Sequence, residues 1–180
     1  MKKKTMLDLQ RVSLREFHER VEKTPVALVL DNVRSEMNVG SILRTADAFA
    51  LERVCLCGIT GTPPSPEIHK TALGAEDSVA WSHHATTLEA VEMLRSEGYI
   101  VAAVEQVHGS VSLEQVAIDP SKKYALVLGH EVKGVSQEVV DACDLCIELP
   151  QRGTKHSLNV ACTAAIVMWH FFHALELHHK

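Results

Sequence analysis

The amino-acid sequence predicts an α/β fold, a mainly parallel sheet flanked by helices. Three observations lead there. Uninterrupted apolar runs recur at residues 26–30, 99–104 and 124–128, and strands covered on both faces read this way because neither face alternates with solvent. Segments with helical apolar spacing separate the runs, so strand and helix alternate as in βαβ units. Loops that leave the runs carry Gly, Asn and charged side chains, and the carboxyl ends of parallel strands are where such sheets bind ligands.

The chain opens on a basic stretch with Lys2, Lys3, Lys4 and Arg11. Ser13 with Glu16 three residues on is a capping-box signature, and Leu14, Phe17 and Val21 form one stripe on a helix that stops before Pro25. Seven of the 18 Lys and Arg residues lie in the first 23 positions. This segment therefore reads either as a phosphate-facing patch or as a solvated terminal helix, and residues 1–24 are set apart as a basic helical extension.

Residues 26–30 are the first buried strand, and the loop DNVRSEMNVG leads into a helix with Ile42, Leu43, Ala46, Phe49 and Ala50 on its apolar side. Residues 53–57 return as the next strand, completing a βαβ unit. A loop with Pro63, Pro64 and Pro66 precedes a short helix and strand within EIHKTALGAEDSVAWS. Thr86 with Glu89 caps a helix over 88–97 that ends at Gly98. Strands follow at 99–104 and 124–128, the latter running into Gly129, Glu131 and Gly134.

The stretch over residues 145–172 combines three signals. A short apolar strand at 145–149 is closed by Pro150, and the polar loop 151–156 carries Arg152 and Lys155. Ser157 is placed as N-cap of a long, mostly buried helix with Leu158, Cys162, Ala165, Val167, Met168, Trp169 and Phe172 at its apolar positions. A positive loop meeting a helix N-terminus favours an anionic or hydrogen-bond-accepting ligand.

Composition narrows the classes. A chain of 180 residues with 46% hydrophobic content fits one domain with a full core. No apolar run reaches the roughly 20 residues that span a bilayer, and MKKKTMLDLQR lacks the apolar stretch of a signal peptide, so a soluble, cytoplasmic protein with no membrane partner is expected. Five cysteines predict reduced thiols rather than a disulfide framework. Cys55 and Cys57 share one strand face as packing residues, and the lone CxxC of Cys143 and Cys146 lacks two further ligands, so no metal site is expected. His170 and His173 read as helix-surface or interface residues. The two commonest nucleotide cradles, GxGxxG after a strand and GxxxxGK[ST], are absent from the sequence.

Three strand-exit loops remain. They are NVGSILRTADAF with Asn38 and Arg44, LVLGHEVKG with Gly129 and Glu131, and IELPQRGTKHSLNVA with Ser157 and Asn159. On these motifs, in this order and spacing, the chain resembles the SpoU/TrmH family of RNA ribose 2'-O-methyltransferases in the SPOUT superfamily. The resemblance covers roughly residues 26–172 and makes residues 25–180 a SPOUT methyltransferase domain. It implies a C-terminal trefoil knot, an exception to the rule against knotted chains. It also implies an S-adenosylmethionine cofactor held in the knot and a homodimer with the active sites near the interface.

Carried over by position, the cofactor pocket involves Gly129, Leu149 and Leu158, with Glu105 along its edge, and the catalytic set is Arg44, Asn38, Glu131, Ser157 and Asn159. Arg44 is expected to anchor phosphate and stabilise a developing alkoxide rather than to act as a base, because a guanidinium holds its proton up to a pKa above about 12. The alternative for Arg44 is an ion pair with Asp47 on the helix surface. Asn38 is expected to orient Arg44 or the ribose, Glu131 to fix Arg44 or loop amides, and Ser157 and Asn159 to hold the knot loop and the substrate. The implied substrate is RNA, tRNA slightly favoured over rRNA. The competing reading is a non-catalytic knotted module for RNA binding or dimerisation.

Overall fold

Apolar β1 (Thr24–Asp31) lies at the centre of the molecule because both of its faces are covered. Val26, Leu28 and Leu30 belong to one core and Ala27 and Val29 to another, so the two-residue period of the strand feeds two layers. The computed structural model describes residues 1–5 and 12–176.

Before β1, α1 (Leu14–Arg20) starts at Ser13, whose side chain and that of Glu16 make the reciprocal capping box. Its Phe17 is buried, with Lys23 Nζ 3.1 Å from the ring centroid. His18 Nε2 lies 3.4 Å from the carbonyl of Asp77, so the helix rests on the domain. Arg11 lies outside the described residues.

After β1 come α2 (Glu36–Ala48), β2 (Leu51–Cys57), α3 (Pro66–Ala72), α4 (Ala75–Ser78) and β3 (Trp81–His84). They are followed by α5 (Thr87–Ser96), β4 (Tyr99–Val104), β5 (Val111–Ser112), the 3-10 turn Leu113–Gln115 and β6 (Lys123–Leu128). The chain then forms α6 (Gln137–Ala142), β7 (Leu145–Glu148) and α7 (Val160–Glu176). The seven strands pair in the order β3-β2-β1-β6-β4-β7-β5, every pair parallel. One core packs the sheet against α2, α3 and α7, and the other packs it against α5 and α6. Cys55 and Cys57 are buried together in the second, as packing residues.

Register sets the site. Leu30 pairs with Leu128, Ala103 with Val127 and Val104 with Ile147, so the carboxyl ends of β1, β6, β4 and β7 finish level. Buried Asp31 ties this edge together: it accepts from Thr87 Oγ1 at 2.6 Å, from Asn32 Nδ2 at 2.8 Å and from Ser136 N at 2.9 Å.

Three expectations are corrected. The last helix begins at Val160 rather than at Ser157, because Asn159 is its cap: Asn159 Oδ1 accepts from Ala161 N at 2.8 Å and Cys162 N at 3.3 Å. That helix is not mostly buried. Val167, Met168 and Phe171 face the core, whereas Cys162, Ile166, Trp169 and His173 are exposed, spaced as one face of a helix. Finally, the sequence reading lacked β5, the 3-10 turn and α6, which are too short for periodicity to register.

Candidate active site

Between the carboxyl ends of β4, β6 and β7 lies a cavity of about 330 Å³, within the range of small-molecule sites. Leu128, Ile147, Leu149 and Leu158 give it apolar walls, and Glu105, Glu148 and the 129–134 turn give it polar ones. All four residues expected to hold a cofactor, Gly129, Leu149, Leu158 and Glu105, line it. Such a mix, apolar surface for a flat ring with a few carboxylates and backbone groups for orientation, fits an adenosine-bearing ligand.

Gly129 also makes a close backbone approach. A Cβ there would sit 2.1 Å from both Gly134 C and Val135 N, so the missing side chain lets the 134–135 backbone close on the strand exit. Gly134, at φ +68°, sits equally tightly against Glu105, which accepts from Val135 N at 2.8 Å. Glu105 is thus a clamp on the turn as well as a lining residue.

Glu131 reaches out of this turn to α2. Its carboxylate accepts from Arg34 N at 3.0 Å, Ser35 N at 2.9 Å and Asn38 Nδ2 at 3.0 Å. Burial pushes the Glu131 carboxyl up, but the amides of Arg34, Ser35 and its own residue, with the Asn38 side chain, outweigh it and hold the group at about 2. Glu131 is therefore an anion at neutral pH. Asn38 Oδ1 in turn accepts from Asn159 Nδ2 at 3.2 Å, and Asn159 caps α7. One relay thus joins the three loops.

The remaining expected residues, Ser157 and Arg44, stand outside this relay. Ser157 lines the cavity and is exposed, with no cap contact. Arg44 is exposed on α2 and does not line the cavity; it makes no hydrogen bond or ion pair among the described residues. The alternative pairing with Asp47 is absent, because the Asp47 carboxylate accepts from Ser78 Oγ instead. Asn38 accordingly orients Glu131 and Asn159, not Arg44. Sequence reasoning missed His130, whose position between Gly129 and Glu131 in a site loop was the available signal.

The model of the SpoU rRNA methylase family matches residues 25–169. The chain belongs to that family. Similar SpoU and TrmH proteins include a Staphylococcus aureus protein assigned to the TrmH family of tRNA/rRNA methyltransferases, 30% identical over 84% of this chain and 60% of its own. The crystal structure of an AdoMet-bound rRNA methyltransferase from Sinorhizobium meliloti is 31% identical, with a TM-score of 0.77 over 92% of this chain and 62% of that one. The A. aeolicus TrmH/SpoU tRNA modifying enzyme is 26% identical, with a TM-score of 0.80 over 92% of this chain and 82% of that one. This SpoU family chain spans about 60% of the length of the curated relatives it matches. Among its described residues no helix is long and apolar enough to cross a membrane, and no group of His, Cys, Asp and Glu is placed to hold a metal ion.

Proposed function

We propose that this chain transfers a methyl group from S-adenosylmethionine to a ribose 2'-hydroxyl of RNA, in tRNA more readily than in rRNA. The observation that carries the reading is the relay from Glu131 through Asn38 to Asn159, which binds all three family motifs to the wall of one adenosine-sized cavity. The AdoMet-bound relative supports the cofactor.

When bound, the cofactor supplies an electrophilic methyl on a sulfonium. The residues of this chain do the rest. Leu149 and Leu158 offer apolar surface to the adenine, while Gly129 and Glu105 fix the turn that walls the cavity. Glu131, Asn38 and Asn159 hold α2 and α7 in register with that wall. Ser157, exposed on the 150–159 loop, is available to the substrate. Arg44 keeps a charged, planar donor fork exposed and, among the described residues, unpaired, suited to a phosphate and to the alkoxide that develops as the 2'-hydroxyl loses its proton.

The proposal extends to architecture. The 105–122 connection from β4 to β6 passes outside β7 to form β5, while α7 returns from β7 to pack on α2 and β1. That crossing is what supports a C-terminal trefoil knot. Half-exposed Trp169, in tilted ring contact with Phe49 and Phe172 and on the same helix face as exposed Ile166, supports a homodimer through α7. Residues 1–24 are kept as a basic extension on a 25–180 domain in the cytoplasm.

The test is transfer of labelled methyl groups into total tRNA and into rRNA, followed by nuclease digestion and nucleoside analysis. A 2'-O-methylnucleoside is expected. Label on a base would overturn the ribose assignment, and RNA binding without transfer would favour the non-catalytic module.

A further inference from the structure

The 129–134 turn forms one wall of the cavity, yet two of its residues are exposed, Val132 at 80% and Lys133. The backbone amides of both donate to the same side-chain atom, His130 Nδ1, from Val132 N at 3.0 Å and from Lys133 N at 3.4 Å. The turn is also closed by the backbone pair His130 N to Gly134 O at 3.1 Å and Gly134 N to His130 O at 2.8 Å. An imidazole here acts as Asn and Asp side chains do when they accept from amides two and three residues on and so fix a turn.

Two N–H donors on Nδ1 demand a lone pair there. The ring is therefore neutral with its proton on Nε2, since a neutral imidazole has one donor and one acceptor nitrogen. Adding a proton makes both nitrogens donors. Nδ1–H would then oppose two amide N–H groups, and the turn would lose the acceptor that orders it.

We infer that His130 is a positioning residue that folds the cavity wall through its neutral Nδ1 atom, so that ligand capture fails when the imidazole is protonated. This inference rests on the reading of the cavity as an S-adenosylmethionine site. The charged and titratable groups that line the same cavity as the imidazole are Glu131 and Lys133 on its own turn, Glu105 at the end of β4, Glu148 on β7 and His156 on the 150–159 loop. None of them is hydrogen-bonded to it among the described residues; Glu105 and Glu131 are committed to amides of Val135, Arg34 and Ser35. The wall is thus ordered by one imidazole acceptor and by carboxylates that do not compete for its Nδ1.

Two measurements test this. In the ligand-free protein, nitrogen-15 NMR should show the Nε2–H tautomer of His130 at about pH 8, and the Val132 and Lys133 amides should shift together with the imidazole as pH falls. Calorimetric titration with S-adenosylhomocysteine should give affinity about five- to tenfold weaker at pH 5.5 than at pH 8, the scale of one lost hydrogen bond. His130→Ala should bind weakly at both pH values. His130→Asn, whose Oδ1 can accept from the same amides but does not titrate, should restore binding and remove most of the pH dependence. A proton on Nδ1 at pH 8, or amides that ignore the imidazole, overturns the inference whatever the cavity binds. Equal pH dependence in wild type and His130→Asn overturns it as well. Wild type that binds no S-adenosylhomocysteine at either pH, while its amides follow the imidazole, overturns instead the reading of the cavity and the ligand-capture half of the inference with it.

Discussion

Asn159 donates to Asn38 across 3.2 Å, and Glu131 dictates the direction of that bond from the far end. An ionised carboxylate only accepts, so Asn38 must turn Nδ2 to Glu131 and Oδ1 to Asn159. Asn159 must then offer Nδ2, which leaves its Oδ1 to the first amides of α7. The charge on one loop fixes the orientation of two amides and the start of a helix.

The relay separates capping from contact. Asn159→Ala should cost about 1 kcal/mol of stability through the lost cap and should also weaken S-adenosylhomocysteine binding. Asn159→Asp keeps the capping oxygen but sets oxygen against Asn38 Oδ1. It should retain stability and still lose affinity. Urea unfolding with ligand titration of both variants decides, and equal destabilisation would remove the capping role.

Glu131 makes stability depend on acid. Its folded value of about 2 lies below the ordinary 4.5, so its stabilisation is fully present above about pH 4.5 and is lost as pH falls through 2. A carboxyl moved that far contributes about 1 to 2 kcal/mol once solvent screening of a partly exposed group is allowed for. Glu131→Gln should be less stable by that amount at neutral pH and should show a flatter profile between pH 4.5 and 2. Parallel profiles for the two proteins would refute the assignment.

Arg44 makes no hydrogen bond or ion pair among the described residues, so Arg44→Ala should unfold within about 0.5 kcal/mol of wild type. Cofactor affinity should be nearly intact. Single-turnover methyl transfer to RNA should fall by about two orders of magnitude, the scale of one lost transition-state donor, and Arg44→Lys should rescue poorly because it lacks the planar fork. Equal rates for all three proteins would exclude Arg44 from the chemistry.

The exposed face of α7 predicts a dimer. Sedimentation equilibrium should give a mass of twice 19.8 kDa at micromolar concentration, and Trp169→Glu, which places a charge on the half-exposed apolar face, should give the single-chain mass. A wild-type monomer would remove this interface.

The strands and capped helices were legible in the residues because their causes are local. Residues 26–30 are apolar at every position, as a strand covered on both faces requires, and Ser13 with Glu16 and Thr86 with Glu89 close capping boxes within one turn. The three motifs, with their Asn, Glu and Gly residues, were visible for the same reason: each is a short stretch of chain.

Tertiary structure alone decided how those residues meet. Ser157 and Asn159 are comparable caps by propensity, and Asn159 prevails because its amide is also held by Asn38, 121 residues away in sequence. Asn38 turns to Glu131 rather than to Arg44 because parallel register ends β1 and β6 level, setting the two exit loops side by side. Arg44 and Asp47, three residues apart on α2, stay unpaired because α4 brings Ser78 to the aspartate. Likewise β5 is two residues long and exists as a strand only because β7 lies beside it. A local pattern records propensity, whereas these choices depend on partners that chain order does not adjoin and that only the closed sheet brings within hydrogen-bond reach.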